Sequence, residues 1–276
     1  MSEQPAPQVG RTGRNLPLAT AVGVGLAGLL VLSLFISPDV FAILASIVMM
    51  LAVRELISAL ISELPAATRY LVYLAAPVIV LSAFYGGAAW LLISFVTSVF
   101  LVLVTRLPQG HEKYVSNTSR AIFILAYAPL MAGFAAMLAA STNGAQKVIA
   151  FVLLTAATDI GGFFAGVAFG AHPMAPKISP KKTWEGFIGA LVLQVIVGVT
   201  LWTFFFKDPW WHGALVGLLM TITATLGDLI ESMIKRDLGI KDMSRVLPGH
   251  GGIMDRLDSL VVNAFIAWVV FEIFLK

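Results

Sequence analysis

The chain contains no cysteine. Disulfides, thiolate metal sites and thiol nucleophiles are therefore excluded, although a missing thiol assigns no redox compartment. Charge is nearly as scarce. Only 12% of the residues are Asp, Glu, Lys or Arg, about half of the roughly 25% that an ordinary globular domain carries. Apolar residues take their place: 59% are hydrophobic and the mean hydropathy is +0.92. By length alone 276 residues could hold one or two soluble domains. The apolar excess points instead to a bundle solvated by lipid. A pI near 9.2 would hint at nucleic acid in a soluble protein. Here the net charge is only +3, its distribution matters more, and no nucleic-acid partner is expected.

A spanning helix needs about 20 mainly apolar residues. Candidates are Leu18–Ile36, Val40–Ile61, Tyr70–Phe84, Ala88–Val104, Ala121–Ala140, Val148–Gly170, Trp184–Phe206, Gly213–Ile234 and Leu260–Leu275. The fold class is accordingly an all-α polytopic transmembrane helix bundle of about nine spans. Only Gly86-Gly87 separates the third and fourth, which could equally form one broken segment. The first is too long for a signal-peptide core and is followed by another apolar run rather than a cleavage site. The chain then divides into a disordered cytoplasmic tail (1–16), N-terminal transmembrane helices (17–147) and a C-terminal transmembrane catalytic region (148–276).

Charge sets the expected orientation. With the N-terminus cytoplasmic, the inner segments carry Arg11, Arg14, Arg69, Arg106, Lys113, Arg120, Lys177, Lys181, Lys182, Lys235, Arg236, Lys241, Arg245 and Arg256. The outer ones carry only Lys147, Lys207 and Lys276. That is a strong positive-inside bias, and it places the C-terminus outside. The inner segments would then face the cytoplasm. No internal repeat is visible, which disfavours the many secondary transporters built from two related halves.

Two inner loops are richer than simple connections. One contains Ser179-Pro180-Lys181-Lys182-Thr183-Trp184-Glu185-Gly186; the other runs from Lys235 to Asp258. Asp228, Glu231, Ser232 and Lys235 share one helical face. A carboxylate at the depth of Asp228 is costly unless it pairs or binds metal, and Arg54 is one conceivable partner. Further on, Gly249, Gly251 and Gly252 surround His250, a composition that lets backbone amides approach a phosphate. Asp255 and Asp258 stand three apart, on one face if a helix has begun there. Hard carboxylate oxygens suit Mg²⁺, which takes one or two protein carboxylates and completes its shell with water and phosphate. Together these features suggest phosphoryl or nucleotidyl transfer to a membrane-embedded substrate.

The run from Ser232 to Asp258 resembles the signature of the phosphatidate cytidylyltransferases, or CDP-diacylglycerol synthases, S-x-x-K-R-x4-K-D-x-S-x2-L-P-x-H-G-G-x-x-D-R-x-D. Residues 179–186 and Gly227-Asp228 are also similar to that family. The resemblance implies a homodimeric membrane enzyme that transfers CMP from CTP to phosphatidate with Mg²⁺, releasing pyrophosphate. A second, monovalent cation is implied only by the resemblance. The expected metal ligands are Asp228 and Asp255, with Asp258 either a third ligand or a helix N-terminal charge. Catalytic roles fall to Asp228, Asp255 and Lys235. Substrate binding falls to Ser179, Lys181, Lys182, Ser232, Arg236, His250, Gly251, Gly252 and Arg256. A CTP-dependent lipid-alcohol kinase is the alternative closest in chemistry, and a secondary transporter the more distant one.

Overall fold

The computed structural model describes residues 25–275, except 26–27, 31, 62 and 245–250. The expected tail and most of the expected first span fall outside the described residues; 28–30 and 32–36 are helical. Helix α1 (Pro38–Leu60) starts where local chemistry favours a start. Ser37 Oγ accepts the Val40 N–H at 3.2 Å, proline occupies the first turn and Asp39 follows it.

Helix α2 (Ala66–Arg106) has 41 residues. Run straight it would measure about 60 Å, twice the roughly 30 Å hydrocarbon core of a bilayer. It does not run straight. Gly87 adopts φ 64°, ψ −156°, a region essentially reserved for glycine. Thr68 Oγ1 consequently reaches Thr105 Oγ1 at 3.3 Å, 37 residues along. The segment is an antiparallel helical hairpin folded at Gly86-Gly87, so the third and fourth expected spans lie side by side. Helix α3 (Tyr114–Leu125), a π turn at Ala126–Leu130 and α4 (Met131–Ala140) form one continuous rod. The π turn holds Pro129, which has no N–H to give a regular helix.

Helix α5 (Gly144–Phe169) leads into two short strands, β1 (Pro173–Ala175) and β2 (Ser179–Thr183), then α6 (Trp184–Thr200), whose last turn continues as a π turn to Phe205. Helix α7 (Trp210–Asp237) and α8 (Met254–Phe274) complete the chain. Among the described residues seven helices are long and apolar enough to cross a membrane, with 66–109 counted once.

The all-α bundle stands, and two local details are new. The inner loop after α5 carries a short antiparallel β-hairpin, pairing Pro173 with Thr183 and Ala175 with Ser179. The last span begins at Met254 rather than Leu260, because the Glu55 carboxylate of α1 accepts the Ile253 and Met254 N–H groups at its start.

Helices α5 to α8 pack in succession, and α8 also packs on α4, joining the two halves. Small residues permit close approach: a Cβ on Gly213 would lie 2.2 Å from the Gly198 carbonyl oxygen, so α6 and α7 meet backbone to backbone. Gln194, fully buried, accepts from Thr221 at 3.1 Å and from Thr158, tying α5, α6 and α7. Asn263 donates to Thr155 at 3.2 Å and accepts from Thr223. These bonds join four helices where hydrophobic association is weak.

Candidate functional site

The loops 63–65 and 107–113, the β-hairpin and the connection between α7 and α8 collect at one end of the bundle. Asn117 Nδ2 donates to the Glu63 carbonyl at 2.8 Å, Arg120 to the Leu60 carbonyl at 2.8 Å, and Lys113 pairs with Glu63 at 3.1 Å. The opposite end is marked by Tyr85, whose hydroxyl donates to Asp39 at 2.9 Å. The charged residues of the α7–α8 connection therefore lie among other basic side chains at the same end.

At that end α7 and α8 enclose a cavity of about 260 Å³. Its lining includes Asp228, Ser232, Lys235 and Arg236 from α7, Lys241 and Asp242 from the connection, and Asp255, Arg256 and Asp258 from α8. The helical spacing explains the convergence: the α7 residues recur at three- and four-residue steps, and Asp255 and Asp258 occupy one face of the first turns of α8. Lys235 and Arg236 stand in the last turn of α7, where the helix dipole favours cations.

Lys235 is held between two carboxylates. Its Nζ donates to Asp255 Oδ1 at 2.9 Å and to Glu231, which is fully buried. The other Asp255 oxygen accepts from the Gly252 N–H at 2.7 Å and from the Met243 N–H at 2.9 Å. Gly251 has φ +83°, and a Cβ there would lie 2.8 Å from Asp255 Oδ2. Only glycine allows the chain to turn this close to the carboxylate. The Gly251-Gly252 pair, expected to cradle phosphate, is thus arranged around Asp255, with the Gly252 amide already committed to it.

Asp228 pairs with Lys182 at 2.5 Å; its partner is this lysine rather than Arg54. Ser232 Oγ is 3.4 Å from the same carboxylate. Lys182 arrives on β2, and the hairpin is fastened at both ends. Glu185 accepts from the Ala171 and His172 amides at 3.1 and 3.2 Å, and Arg236 Nε donates to the Ile178 carbonyl at 3.1 Å. Arg236 therefore holds the hairpin with one nitrogen while it lines the cavity.

Asp228 also lines a second cavity, of about 220 Å³, between α5, α6 and α7. Thr158, Asp159, Gly162, Phe163, Gly166, Phe187, Lys181 and Lys182 contribute to it. One cavity is lined mainly by charge and the other largely by apolar and small side chains, and they meet at Asp228.

Of the expected residues, the structure gathers Asp228, Ser232, Lys235, Arg236, Asp255, Arg256 and Asp258 in the first cavity and Lys181 and Lys182 in the second. Ser179 sits on β2 and lines neither, and Gly251 and Gly252 act through Asp255. His250 lies outside the described residues. Two further carboxylates join them: Asp159 lines the second cavity, and Glu231, on the helical face it shares with Asp228, pairs with Lys235. Among the described residues no three His, Asp or Glu side chains converge into a protein-only metal cage. The carboxylates around the first cavity nevertheless suit Mg²⁺, since that ion needs one or two of them and takes water and phosphate for the rest.

The model of the Cytidylyltransferase family matches residues 18–274. A phosphatidate cytidylyltransferase of Mycobacterium leprae (strain TN) is 37% identical, across 94% of this chain and 88% of that protein. One from Mycobacterium tuberculosis (strain ATCC 25618 / H37Rv) is also 37% identical, across 97% of this chain and 86% of its own length. The phosphatidate cytidylyltransferase of Staphylococcus haemolyticus (strain JCSC1435) reaches 42% identity over 130 residues, 47% of this chain and 50% of that protein.

Proposed function

The chain belongs to the cytidylyltransferase family, and from that membership we propose that it transfers CMP from CTP to phosphatidate, forming CDP-diacylglycerol and pyrophosphate. The single observation that carries this reading is the meeting of the two cavities at Asp228. The charged cavity suits a nucleoside triphosphate, and the apolar one, with two lysines at its rim, suits a phosphate carried on acyl chains.

In the reaction a phosphatidate oxygen bonds to the α-phosphorus of CTP while the bond to the bridging oxygen of the β-phosphate breaks, and pyrophosphate departs. A phosphate oxygen is already a competent nucleophile at neutral pH, so no covalent enzyme intermediate is required. Positioning and charge neutralisation then account for most of the catalysis. Arg236, Lys241 and Arg256 would neutralise the CTP phosphates, and Lys181 and Lys182 would hold the lipid phosphate against them. Lys235 keeps Asp255 in place, and with two of its three donors on Asp255 and Glu231 one is left for the substrate phosphates.

Asp228 and Asp255 are the residues that would hold Mg²⁺, with Asp258 beside them. When bound, the ion supplies charge neutralisation at the triphosphate. The second, monovalent cation, the homodimer and a cytoplasm-facing site in a bacterial inner membrane belong to the same proposal. The orientation is supported by the basic residues gathered at the site's end of the bundle.

The test uses purified protein with phosphatidate, Mg²⁺ and cytosine-labelled CTP. The proposal predicts label in the lipid fraction. Label left in free CDP, with phosphate gained by a lipid alcohol, would instead identify a kinase.

A further inference from the structure

Helix α8 has no side-chain cap of its own: Ile253 precedes it and offers no acceptor. The first N–H groups of a helix nonetheless need partners when buried. The partner comes from the other half of the chain. Glu55, on α1 and 5% exposed, accepts the Ile253 N–H on Oε1 at 3.0 Å and the Met254 N–H on Oε2 at 3.0 Å. Oε1 also accepts from Ser244 Oγ at 2.6 Å. A carboxylate is well placed there, since the helix dipole and the exposed amides both favour negative charge.

The contact reaches the site in one step. Gly252 lies against Glu55, where a Cβ would stand 2.5 Å from Oε2, and its own N–H donates to Asp255 at 2.7 Å. Glu55 grips the outside of the turn, and Asp255 grips the inside. Moving the turn moves Asp255 and, one helical turn later, Asp258.

We infer that Glu55 is a positioning residue of the transferase site, supplied by the N-terminal helices to fix the start of α8 and hence the direction of the Asp255 carboxylate. It touches no substrate; it acts through the backbone of residues 252–254. The inference rests on the reading of Asp255 as part of the transfer site. Loss of an outer partner of a metal-holding carboxylate typically weakens metal affinity or activity about 10- to 100-fold.

The experiment compares wild type, Glu55→Gln and Ser244→Ala in detergent, titrating each with Mg²⁺. Two readouts are taken: the rise in Tm, followed by tryptophan fluorescence, and the rate of CMP transfer. Glu55→Gln keeps the size but replaces one acceptor oxygen with a donor that opposes a backbone N–H. It should raise the half-saturating Mg²⁺ concentration at least about 10-fold in both readouts, and it should also lower the metal-free Tm somewhat, since one buried N–H loses its acceptor; the midpoint, not the Tm itself, is the diagnostic. Ser244→Ala removes one of the three donors that the described residues give Glu55 and should shift the same midpoint in the same direction by less.

Mg²⁺ midpoints and rates of Glu55→Gln within twofold of wild type would overturn the inference. If Glu55→Gln cannot be purified folded, an unchanged midpoint in Ser244→Ala overturns it instead. A wild type that gains Tm with Mg²⁺ but moves no label into lipid would refute the transferase reading alone. Glu55 would then be judged on the Tm titration.

Discussion

Lys235 touches two buried carboxylates, so its structural and chemical contributions can be separated by experiment. Replacing it with methionine leaves Glu231 and Asp255 without their cation. Removing one partner of a buried pair costs about 3–5 kcal/mol. Lys235→Met should therefore lower Tm markedly and abolish transfer. Adding Glu231→Gln removes the unpaired buried charge and should recover much of the Tm but none of the transfer; recovery of both would make Lys235 purely structural. Lys182 belongs to the other cavity. Lys182→Met should raise the KM for phosphatidate in mixed micelles more than the KM for CTP, and the reverse pattern would move Lys182 to the nucleotide. Asp228, Lys235 and Asp255 were legible in the sequence, because spacing on a helix and the signature both single them out. Glu55 was not. Its partners lie 189 to 199 residues away, and no local pattern announces a contact between an apolar helix and a distant turn.

Hydropathy located the helices well, since a buried or lipid-facing helix must be apolar along its length. It could not show how they end. Leu260 looks like the start of α8 because the residues before it are charged, yet those residues are helical, with Glu55 accepting the Ile253 and Met254 amides at their start. The β-hairpin was hidden for a related reason. Proline at 173 and 180 and lysine at 181 and 182 give it no alternation, and Thr183 is the one β-branched residue in its two strands. The Gly86-Gly87 break was visible, but only the Thr68–Thr105 contact shows that the chain reverses there. At Gly87 a side chain would meet open space, so the cost of substitution is conformational. Gly87→Ala should lower stability by about 1–3 kcal/mol with little change in transfer rate per folded molecule. An unchanged Tm would show that the hairpin tolerates another turn. Gly251→Ala differs, because strain and contact with Asp255 coincide; it should cost transfer as well as stability.

The molecule is a bundle of apolar helices with its charged cavity at one end. N-terminal helices outside the signature nonetheless reach the turn before Asp255, through Glu55. Orientation can be read directly because the chain has no cysteine. Lys177→Cys and Gln146→Cys place single thiols at exposed positions on opposite ends. In intact cells a membrane-impermeant maleimide should label Cys at 146 and spare 177, and the opposite result would put the site outside. The central claim is nucleotidyl transfer at the cavity between α7 and α8. Its most direct measurement gives purified wild type and Asp228→Asn phosphatidate, Mg²⁺ and CTP labelled at the α-phosphate. Wild type should place the label in chloroform-extractable lipid with one pyrophosphate released per lipid formed, and Asp228→Asn should lose about 100-fold or more of that rate. Label that enters lipid equally well with Asp228→Asn, or only when the γ-phosphate carries it, would contradict the account.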